Sequence, residues 1–267
     1  MQLGVNVPNF GPGTDPGVLR DWARVVEGLG FDLLMVSDHV AVTPDVAERY
    51  PEPFYEPFTT LSWLAGVTER VRLGTTVLVL PYRHPLLVAR MAANLDALSG
   101  GRLVLGVGVG WARQEYEALG VPFARRGRLT DAHLAALREA GVGSVPLWVG
   151  GNSEAGIRRA VRFGDAWHPL RGTLPWMRAV VGSHELPGFA PRIALRLTPE
   201  PADPADPERL AGVGSIEQVL DDLEQLRLLG AGTVVLDPYH GDPETTRRPH
   251  TAWRDLTTLA AHRRTAP

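Results

Sequence analysis

Short apolar runs alternate with segments of helical periodicity along the whole chain, and this pattern constrains the fold more than any other feature. Eight of the runs have the length and composition of buried parallel strands: 3–7, 31–38, 71–79, 103–111, 146–151, 165–167, 192–197 and 233–237. The connecting segments carry helix-start signals, such as Asp15-Pro16 and the capping box from Ser215 to Gln218. The pattern predicts an α/β fold, one parallel eight-stranded (β/α)8 TIM-barrel domain over residues 1–267. A doubly wound open sheet is the competing fold.

The composition excludes several kinds of chemistry. There is no Cys, so disulfides, thiolate metal sites and cysteine nucleophiles are excluded. All 27 basic residues are Arg, which removes Schiff-base and P-loop lysines. The formal net charge of -3 gives no nucleic-acid footprint. No apolar run is long enough to span a membrane and the first residues lack a signal-peptide pattern, so we expect a cytoplasmic protein that acts on a small-molecule substrate.

Polar residues follow several of the predicted strands, at the ends where barrel enzymes bind their ligands. Ser37-Asp38-His39 closes the second strand, although the same triplet also suits a helix cap with a satisfied histidine. Gly150-Gly151-Asn152-Ser153 lies between the fifth strand and a helix, where free backbone amides would suit a phosphate. The alternative for this segment is a tight turn of two glycines with Ser153 as the helix cap.

Glycines occupy alternate positions in the fourth strand, at Gly106, Gly108 and Gly110. They lie inside a strand and lack the acidic residue of a dinucleotide fingerprint. Their missing side chains would let a flat ring approach the backbone beside Trp111, and a packing role is equally compatible with the pattern.

The third strand is predicted to end in the hydroxyls of Thr75 and Thr76, which can bond the edge of a heterocycle or simply favour a strand. His39, His84 and His168 lack the close spacing of a local metal motif, so we predict no metal. No Gly-x-Ser-x-Gly elbow indicates a serine nucleophile.

Taken together and in order, these motifs resemble the bacterial luciferase-like superfamily, and most closely its coenzyme F420-dependent oxidoreductase branch. The resemblance covers about residues 2 to 170 and resumes weakly from Ser215 to Asp237. The motifs that carry it are Asn6-x-Pro8, Ser37-Asp38-His39, Leu73-Gly74-Thr75-Thr76-Val77, Ser99-Gly100-Gly101-Arg102, Gly106-x-Gly108-x-Gly110-Trp111 and Trp148-Val149-Gly150-Gly151-Asn152-Ser153.

The resemblance implies a TIM barrel that binds F420 or FMN with the ring in the barrel mouth. It places the cofactor phosphate at Gly150, Gly151, Asn152 and Ser153. It places Asp38 and His39, the two candidate catalytic residues, beside the reactive ring carbon, with His39 as the candidate acid or base. Thr75, Thr76 and Val77 fall at a bulge beneath the ring, where many relatives carry a non-prolyl cis peptide.

The expected function is hydride transfer between F420 and a small organic substrate. An FMN-dependent monooxygenase that uses oxygen is the alternative, and a flavin-binding barrel without catalysis is a third possibility. Relatives commonly carry a longer, mouth-covering insertion between strands four and five, whereas only Gly141 to Val145 connect helix and strand here. This shortened connection argues against a water-free mouth, and therefore favours hydride transfer over oxygen chemistry.

Two further expectations concern charge and assembly. Arg125, Arg126 and Arg128 form a basic cluster that would suit the polyglutamate tail of F420, and would equally suit a solvated helix start. The family resemblance implies a homodimer.

Overall fold

Parallel strands form a barrel in the computed structural model, which describes residues 1–141, 145–203, 205–239, 241 and 243–265. The strands are β1 (Gln2–Asn6), β2 (Leu33–Val36), β3 (Arg72–Thr75), β4 (Leu78–Val79), β5 (Leu103–Gly108), β6 (Leu147–Gly150), β7 (Ala166–His168), β8 (Arg192–Ala194), β9 (Arg196–Leu197), β10 (Val213–Gly214) and β11 (Thr233–Asp237).

The main sheet has the order β7-β6-β5-β3-β2-β1-β11-β8, and β4 extends the line of β3 along β5. All of its pairings are parallel. Isolated parallel bridges, Trp167 to Phe189 and Leu170 to Arg192, link the two ends of this order. The predicted parallel eight-stranded barrel is thereby confirmed, because a doubly wound sheet would leave its edge strands apart.

Helices follow the strands around the outside of the barrel, as the amphipathic patterns predict. They are α1 (Pro16–Gly28), α2 (Pro44–Ala47), α3 (Pro57–Ala65), α4 (Pro85–Ser99), α5 (Arg113–Ala118), α6 (Arg126–Ala140), α7 (Glu154–Phe163), α8 (Leu174–Ser183), α9 (Ile216–Leu228), α10 (Glu244–Arg247) and α11 (Pro249–Thr265). The predicted caps are present: Asp15 accepts from the Val18 amide at 2.8 Å, and Ser215 forms a capping box with Gln218. None of the helices in the described ranges is long and apolar enough to cross a membrane.

Some boundaries differ from the sequence prediction. The predicted strand over 71–79 is interrupted, because the chain bulges at Thr76 and Val77 between β3 and β4. The predicted strand over 192–197 divides, and its second part, β9, pairs with β10 outside the barrel sheet. Helix α6 begins at Arg126, although its charged first turn shows no apolar periodicity in the sequence. Helix α8 forms the connection from β7 to β8 that a (β/α)8 barrel requires, and a proline in its first turn suits a helix start.

The core lies in two layers. A large apolar cluster fills the space between the strands and the helices, and includes Trp22, Leu61 and Leu134. A smaller cluster fills the barrel interior, as the inward-facing residues of such barrels do; it consists of Leu33, Met35, Val104, Trp148, Ala166, Ala190 and Val235. Residues 142–144 of the shortened connection lie outside the described residues.

Candidate active site

A cavity of about 270 Å³ opens at the carboxyl ends of the barrel strands, where TIM barrels bind ligands. Every predicted site residue except Thr75 and Ser153 lines it. The full lining consists of Ser37, Asp38, His39, Tyr50, Thr76, Val77, Val79, Gly108, Val109, Gly110, Trp111, Gly150, Gly151, Asn152, His168, Pro169, Leu170 and Arg192.

The two exceptions use their side chains within the fold. The Thr75 hydroxyl donates to the carbonyl of Gly106 at 2.6 Å. The Ser153 hydroxyl accepts from the Gly156 amide at 3.2 Å, so it caps helix α7 as the alternative interpretation of this segment expected.

The glycines of β5 and β6 make room for the bulge that follows β3. The peptide bond between Thr76 and Val77 is cis, at the position that the family resemblance implied. A Cβ atom on Gly108 would lie 2.6 Å from Val77 Cγ2, and one on Gly150 would lie 2.8 Å from Val77 Cγ1. Packing therefore accounts for Gly108 and Gly150, and both also line the cavity.

A buried carboxylate holds the imidazole of His39. Glu115 Oε2 lies 2.6 Å from His39 Nδ1, and its other oxygen accepts from the amides of Val40 and Ala41 at 2.6 and 3.1 Å. The Tyr82 hydroxyl donates to Oε2 at 2.9 Å. Burial raises the pKa of Glu115, but the hydrogen bonds and the charge of His39 outweigh it and hold that pKa below its ordinary value. Glu115 is therefore an ionised acceptor beside the ring.

This dyad fixes which nitrogen of His39 is available. Because the Glu115 carboxylate accepts, Nδ1 carries the proton and Nε2 is left for a ligand in the cavity. No side chain or amide in the described part of the chain bonds Nε2. The ring stacks on Tyr50 with centroids 5.3 Å apart and meets Trp111 edge-on at 5.8 Å. The sequence analysis did not identify Glu115. The only sequence signal for this residue is its position at the start of the helix that follows the glycine-rich strand.

Asp38, the second predicted catalytic residue, is fully engaged by other groups. Arg83 binds it with two hydrogen bonds of 2.8 Å, and the Val79 amide adds a third of 2.8 Å. Burial raises the pKa of Asp38, and the Arg83 guanidinium opposes that rise. Asp38 therefore has a positioning role, because its side chain joins the end of β2 to the segment after the bulge.

A group of polar residues, the Arg192 cluster, adjoins the cavity, which Arg192 also lines; it comprises Asn6, Arg171, Arg192 and Asp237. Asp237 Oδ2 pairs with Arg192 Nη2 at 2.8 Å and with Arg171 Nη2 at 2.6 Å. Asn6 Nδ2 donates to Asp237 Oδ1 at 3.0 Å. Burial raises the pKa of Asp237, but the two guanidinium groups outweigh it and lower that pKa overall. Sequence reasoning missed this cluster, although Asp237 is an acid at a strand end.

His168 connects the bulge to the neighbouring barrel wall. Its Nδ1 lies 2.5 Å from the carbonyl oxygen of Ala190, and its Nε2 lies 2.9 Å from the Thr76 hydroxyl. Burial, with a smaller effect of Arg192, lowers the pKa of His168 to about 4. The imidazole is therefore neutral near pH 7.

The pKa of His168 predicts a loss of stability in mild acid. The ordinary value is 6.5, so between that pH and about 4 the unfolded chain binds more protons than the folded one. The contribution of neutral His168 to the free energy of unfolding is complete above pH 6.5, and it falls by about 3 kcal/mol as the pH drops to about 4. In urea unfolding, we expect the stability difference between wild type and His168→Gln to shift by this amount between pH 7 and pH 4. A difference independent of pH would contradict the assignment.

The predicted phosphate segment presents free amides to the cavity mouth. Among the described residues, no acceptor bonds the backbone N–H groups of 151–155, and the amino end of α7 stands behind them. Asn152 closes the segment against the next strand, since its side chain donates to the Leu170 carbonyl at 2.7 Å and accepts from the Leu170 amide at 2.8 Å.

The basic cluster lies on a different segment from the cavity lining. The Arg126 guanidinium stacks over Phe123 with 3.9 Å to the ring centroid and donates to the Phe123 carbonyl. The residues Arg125, Arg126 and Arg128 do not line the cavity. Within the described ranges, no group of three or more His, Asp or Glu residues is arranged to hold a metal ion.

Residues 1–142 match the family model of the luciferase-like monooxygenases. An uncharacterized protein of Mycobacterium tuberculosis is 32% identical over 180 residues, covering 54% of this chain and 62% of that protein. The F420-dependent glucose-6-phosphate dehydrogenase of Kineococcus radiotolerans is 38% identical over 126 residues, covering 47% of this chain and 35% of that enzyme. The 4-hydroxyprotoasukamycin monooxygenase of Streptomyces nodosus subsp. asukaensis is 34% identical over 142 residues, covering 51% of this chain and 36% of that enzyme. The matched segments thus span less than two thirds of these relatives.

Solved structures of both cofactor classes share the fold. An F420-dependent secondary alcohol dehydrogenase, determined with an F420-acetone adduct, has a TM-score of 0.70 at 15% identity and covers 96% of this chain and 98% of its own. The FMN-bound oxygenating constituent of 3,6-diketocamphane monooxygenase of Pseudomonas putida has a TM-score of 0.71 at 15% identity, covering 97% of each chain. The fold therefore does not separate the two cofactors.

Proposed function

Because this chain belongs to the luciferase-like monooxygenase family, we propose that it is an F420-dependent oxidoreductase that transfers a hydride between the deazaflavin and a small organic substrate. The observation that carries this proposal is the His39–Glu115 dyad, whose free Nε2 belongs to a residue of the cavity wall. Such an imidazole suits a reaction in which one proton accompanies each hydride.

The residues around the cavity fit a phosphate-bearing ring cofactor. The free amides of 151–155, backed by the amino end of α7, are suitable donors for its phosphate, as the sequence motif predicted. The side chains of Val77 and Trp111 offer apolar walls for a flat ring. Thr75 and Ser153, which the resemblance assigned to the cofactor, would contribute through the backbone, since their side chains bond within the fold.

The protein supplies proton transfer and orientation in this mechanism, and the bound cofactor supplies or accepts the hydride. His39 Nε2 gives a proton to the substrate oxygen, or takes one from it in the reverse direction. Glu115 holds Nδ1 protonated and stabilises the imidazolium, while Tyr82 and the amides of Val40 and Ala41 fix the carboxylate. Asp38 fixes the backbone before His39 through Arg83.

Exposure of the cavity wall favours hydride transfer over oxygen chemistry. Trp111 keeps 40% of its surface exposed, and the connection before β6 is short. An oxygen-using flavin site needs water exclusion, since water destroys its reactive intermediates. The 38% identity to an F420-dependent dehydrogenase also supports F420. The similarity to monooxygenases keeps FMN as the second candidate.

Turnover under controlled oxygen tests this function. Reduced F420 and reduced FMN are each supplied to the full chain with a panel of small ketones and aldehydes. The proposal expects oxidation of reduced F420 that depends on the carbonyl compound and continues without oxygen. Product formation only with reduced FMN and oxygen would instead establish the monooxygenase function.

The proposal includes a cytoplasmic homodimer. Exposed apolar residues on α3 and α4, which pack together, and in the turn after α3 support the dimer; they are Trp63, Val67, Leu86, Leu87 and Leu98. Analytical ultracentrifugation of the full chain distinguishes a dimer from a monomer.

A further inference from the structure

The Arg192 cluster beside the cavity contains more positive than negative charge. Arg171 and Arg192 share one carboxylate, Asp237, and no other acid among the described residues pairs with either of them. Arg192 is 6% exposed and Asp237 is fully buried. A buried charge is costly unless it is paired, so the excess positive charge beside the cavity favours an anionic ligand.

A hydrogen-bond relay determines what the Thr76 hydroxyl can offer to a ligand. The Ala190 carbonyl can only accept, so His168 Nδ1 carries the proton and Nε2 is an acceptor. Thr76 must then donate its single hydroxyl proton to Nε2. Arg192 Nη1 contacts the same hydroxyl oxygen at 3.3 Å. One lone pair of the Thr76 hydroxyl remains unused, so towards a ligand in the cavity that Thr76 lines, the hydroxyl can act only as an acceptor.

Arg192 has a donor to spare beside that acceptor. Its Nε and Nη2 groups donate to Asp237 Oδ2 at 3.1 and 2.8 Å, and Nη1 donates to the Thr76 carbonyl at 2.7 Å. Nη2 carries two N–H groups, and the second has no acceptor among the described residues. Because Arg192 also lines the cavity, an acceptor and a cationic donor lie side by side there.

We propose that Thr76 and Arg192 form a binding subsite for an anionic lactam edge. In this subsite, a ring N–H donates to Thr76 Oγ1, and the adjacent oxygen, which carries the negative charge, accepts from Arg192. His168 is a positioning residue that orients the Thr76 hydroxyl. The identification of the ring with the cofactor rests on the proposed function, since the reduced pyrimidine rings of both F420 and FMN present such an edge. With FMN, whose oxidised ring is neutral, the subsite would then bind the reduced, anionic ring more tightly than the oxidised one.

Small lactams test the subsite without any cofactor. Barbiturate is an anion at neutral pH with a ring N–H beside a charged oxygen, 1,3-dimethylbarbiturate is an anion without the N–H, and uracil has the N–H without the charge. NMR titration of the full chain is expected to give at least tenfold tighter binding of barbiturate than of either other compound. Equal affinities, or no binding of barbiturate, would overturn the proposal.

Matched variants show which residue causes each of the two binding preferences for barbiturate. Thr76→Val is expected to abolish the preference over 1,3-dimethylbarbiturate, whereas Thr76→Ser retains it. Arg192→Gln is expected to abolish the preference over uracil, and Arg192→Lys retains part of it. Preferences that survive both Thr76→Val and Arg192→Gln would contradict the subsite.

Two readouts separate this inference from the proposed function. In the free wild-type protein, ¹⁵N-histidine spectra at pH 7 should show His168 protonated at Nδ1 and unprotonated at Nε2; a proton on Nε2 would overturn the relay. With bound FMN, Arg192→Gln should lower the reduced-to-oxidised affinity ratio at least tenfold, which is about 30 mV of potential for two electrons. Lactam selectivity in a protein that binds neither F420 nor FMN would refute the proposed function and leave the subsite intact.

Discussion

Replacing His39 with Ala is expected to lower kcat by about 10²- to 10⁴-fold, while the affinity for the cofactor changes little. The variant removes the nitrogen that transfers the proton, but it leaves the free amides of 151–155 and the apolar cavity walls in place. Turnover and equilibrium cofactor binding measured on the same preparation distinguish these effects.

A second histidine provides a matched control for this variant. His84 accepts from the Leu86 amide at the start of α4 and does not line the cavity. His84→Ala should therefore keep wild-type turnover. Full turnover in His39→Ala would remove the imidazole from the mechanism, and the absence of turnover in wild type with any donor would favour a flavin-binding protein without catalysis.

Replacing Asp237 with Ala is expected to reduce the free energy of unfolding by about 3 to 5 kcal/mol. The carboxylate is fully buried and is the shared partner of Arg171 and Arg192. Its removal leaves two cations close together, with Arg192 almost out of contact with water. Urea denaturation at neutral pH measures the loss.

Asp21 offers the same substitution at an exposed ion pair. Its side chain is 50% exposed and lies 3.9 Å from Arg24, so Asp21→Ala should change stability by less than about 0.5 kcal/mol. Equal, small losses in the two variants would show that the Arg192 cluster does not hold the barrel together.

The sequence predicts the barrel and most of the cavity lining, because both depend on local patterns. Apolar runs mark the strands, and the residues that follow them, such as His39 and Gly151, meet at one end of any parallel barrel. The free amides of 151–155 also follow from a local signal, since a glycine pair before a helix start leaves those groups without partners.

The side chains that bond to these residues could not be predicted, because only the closed barrel brings them together. Glu115 meets His39 across 76 positions of sequence, and Arg83 meets Asp38 across 45. Single-sequence patterns contain no information on such pairings. Asp38 shows the consequence, because a strand-end acid that suggested catalysis is held in a bidentate ion pair with Arg83.

The hydrogen bonds of Thr75 and Ser153 within the fold could not be predicted for a similar reason. Their hydroxyls face backbone groups that only the folded chain brings near, the Gly106 carbonyl and the Gly156 amide. The alternating glycines left two interpretations open for the same reason, because only the folded chain shows that a side chain on Gly106, Gly108 or Gly110 would clash with the segment from Thr75 to Val79.

Equilibrium binding of F420 and FMN to the full chain, across a salt series, tests the central claim most directly. The proposal predicts tighter binding of F420 than of FMN, and if Arg125, Arg126 and Arg128 hold its acidic tail, the F420 affinity falls as salt rises. Preferential binding of reduced FMN would contradict the F420 assignment and support a flavin monooxygenase. Binding of neither cofactor would contradict the proposed function as a whole.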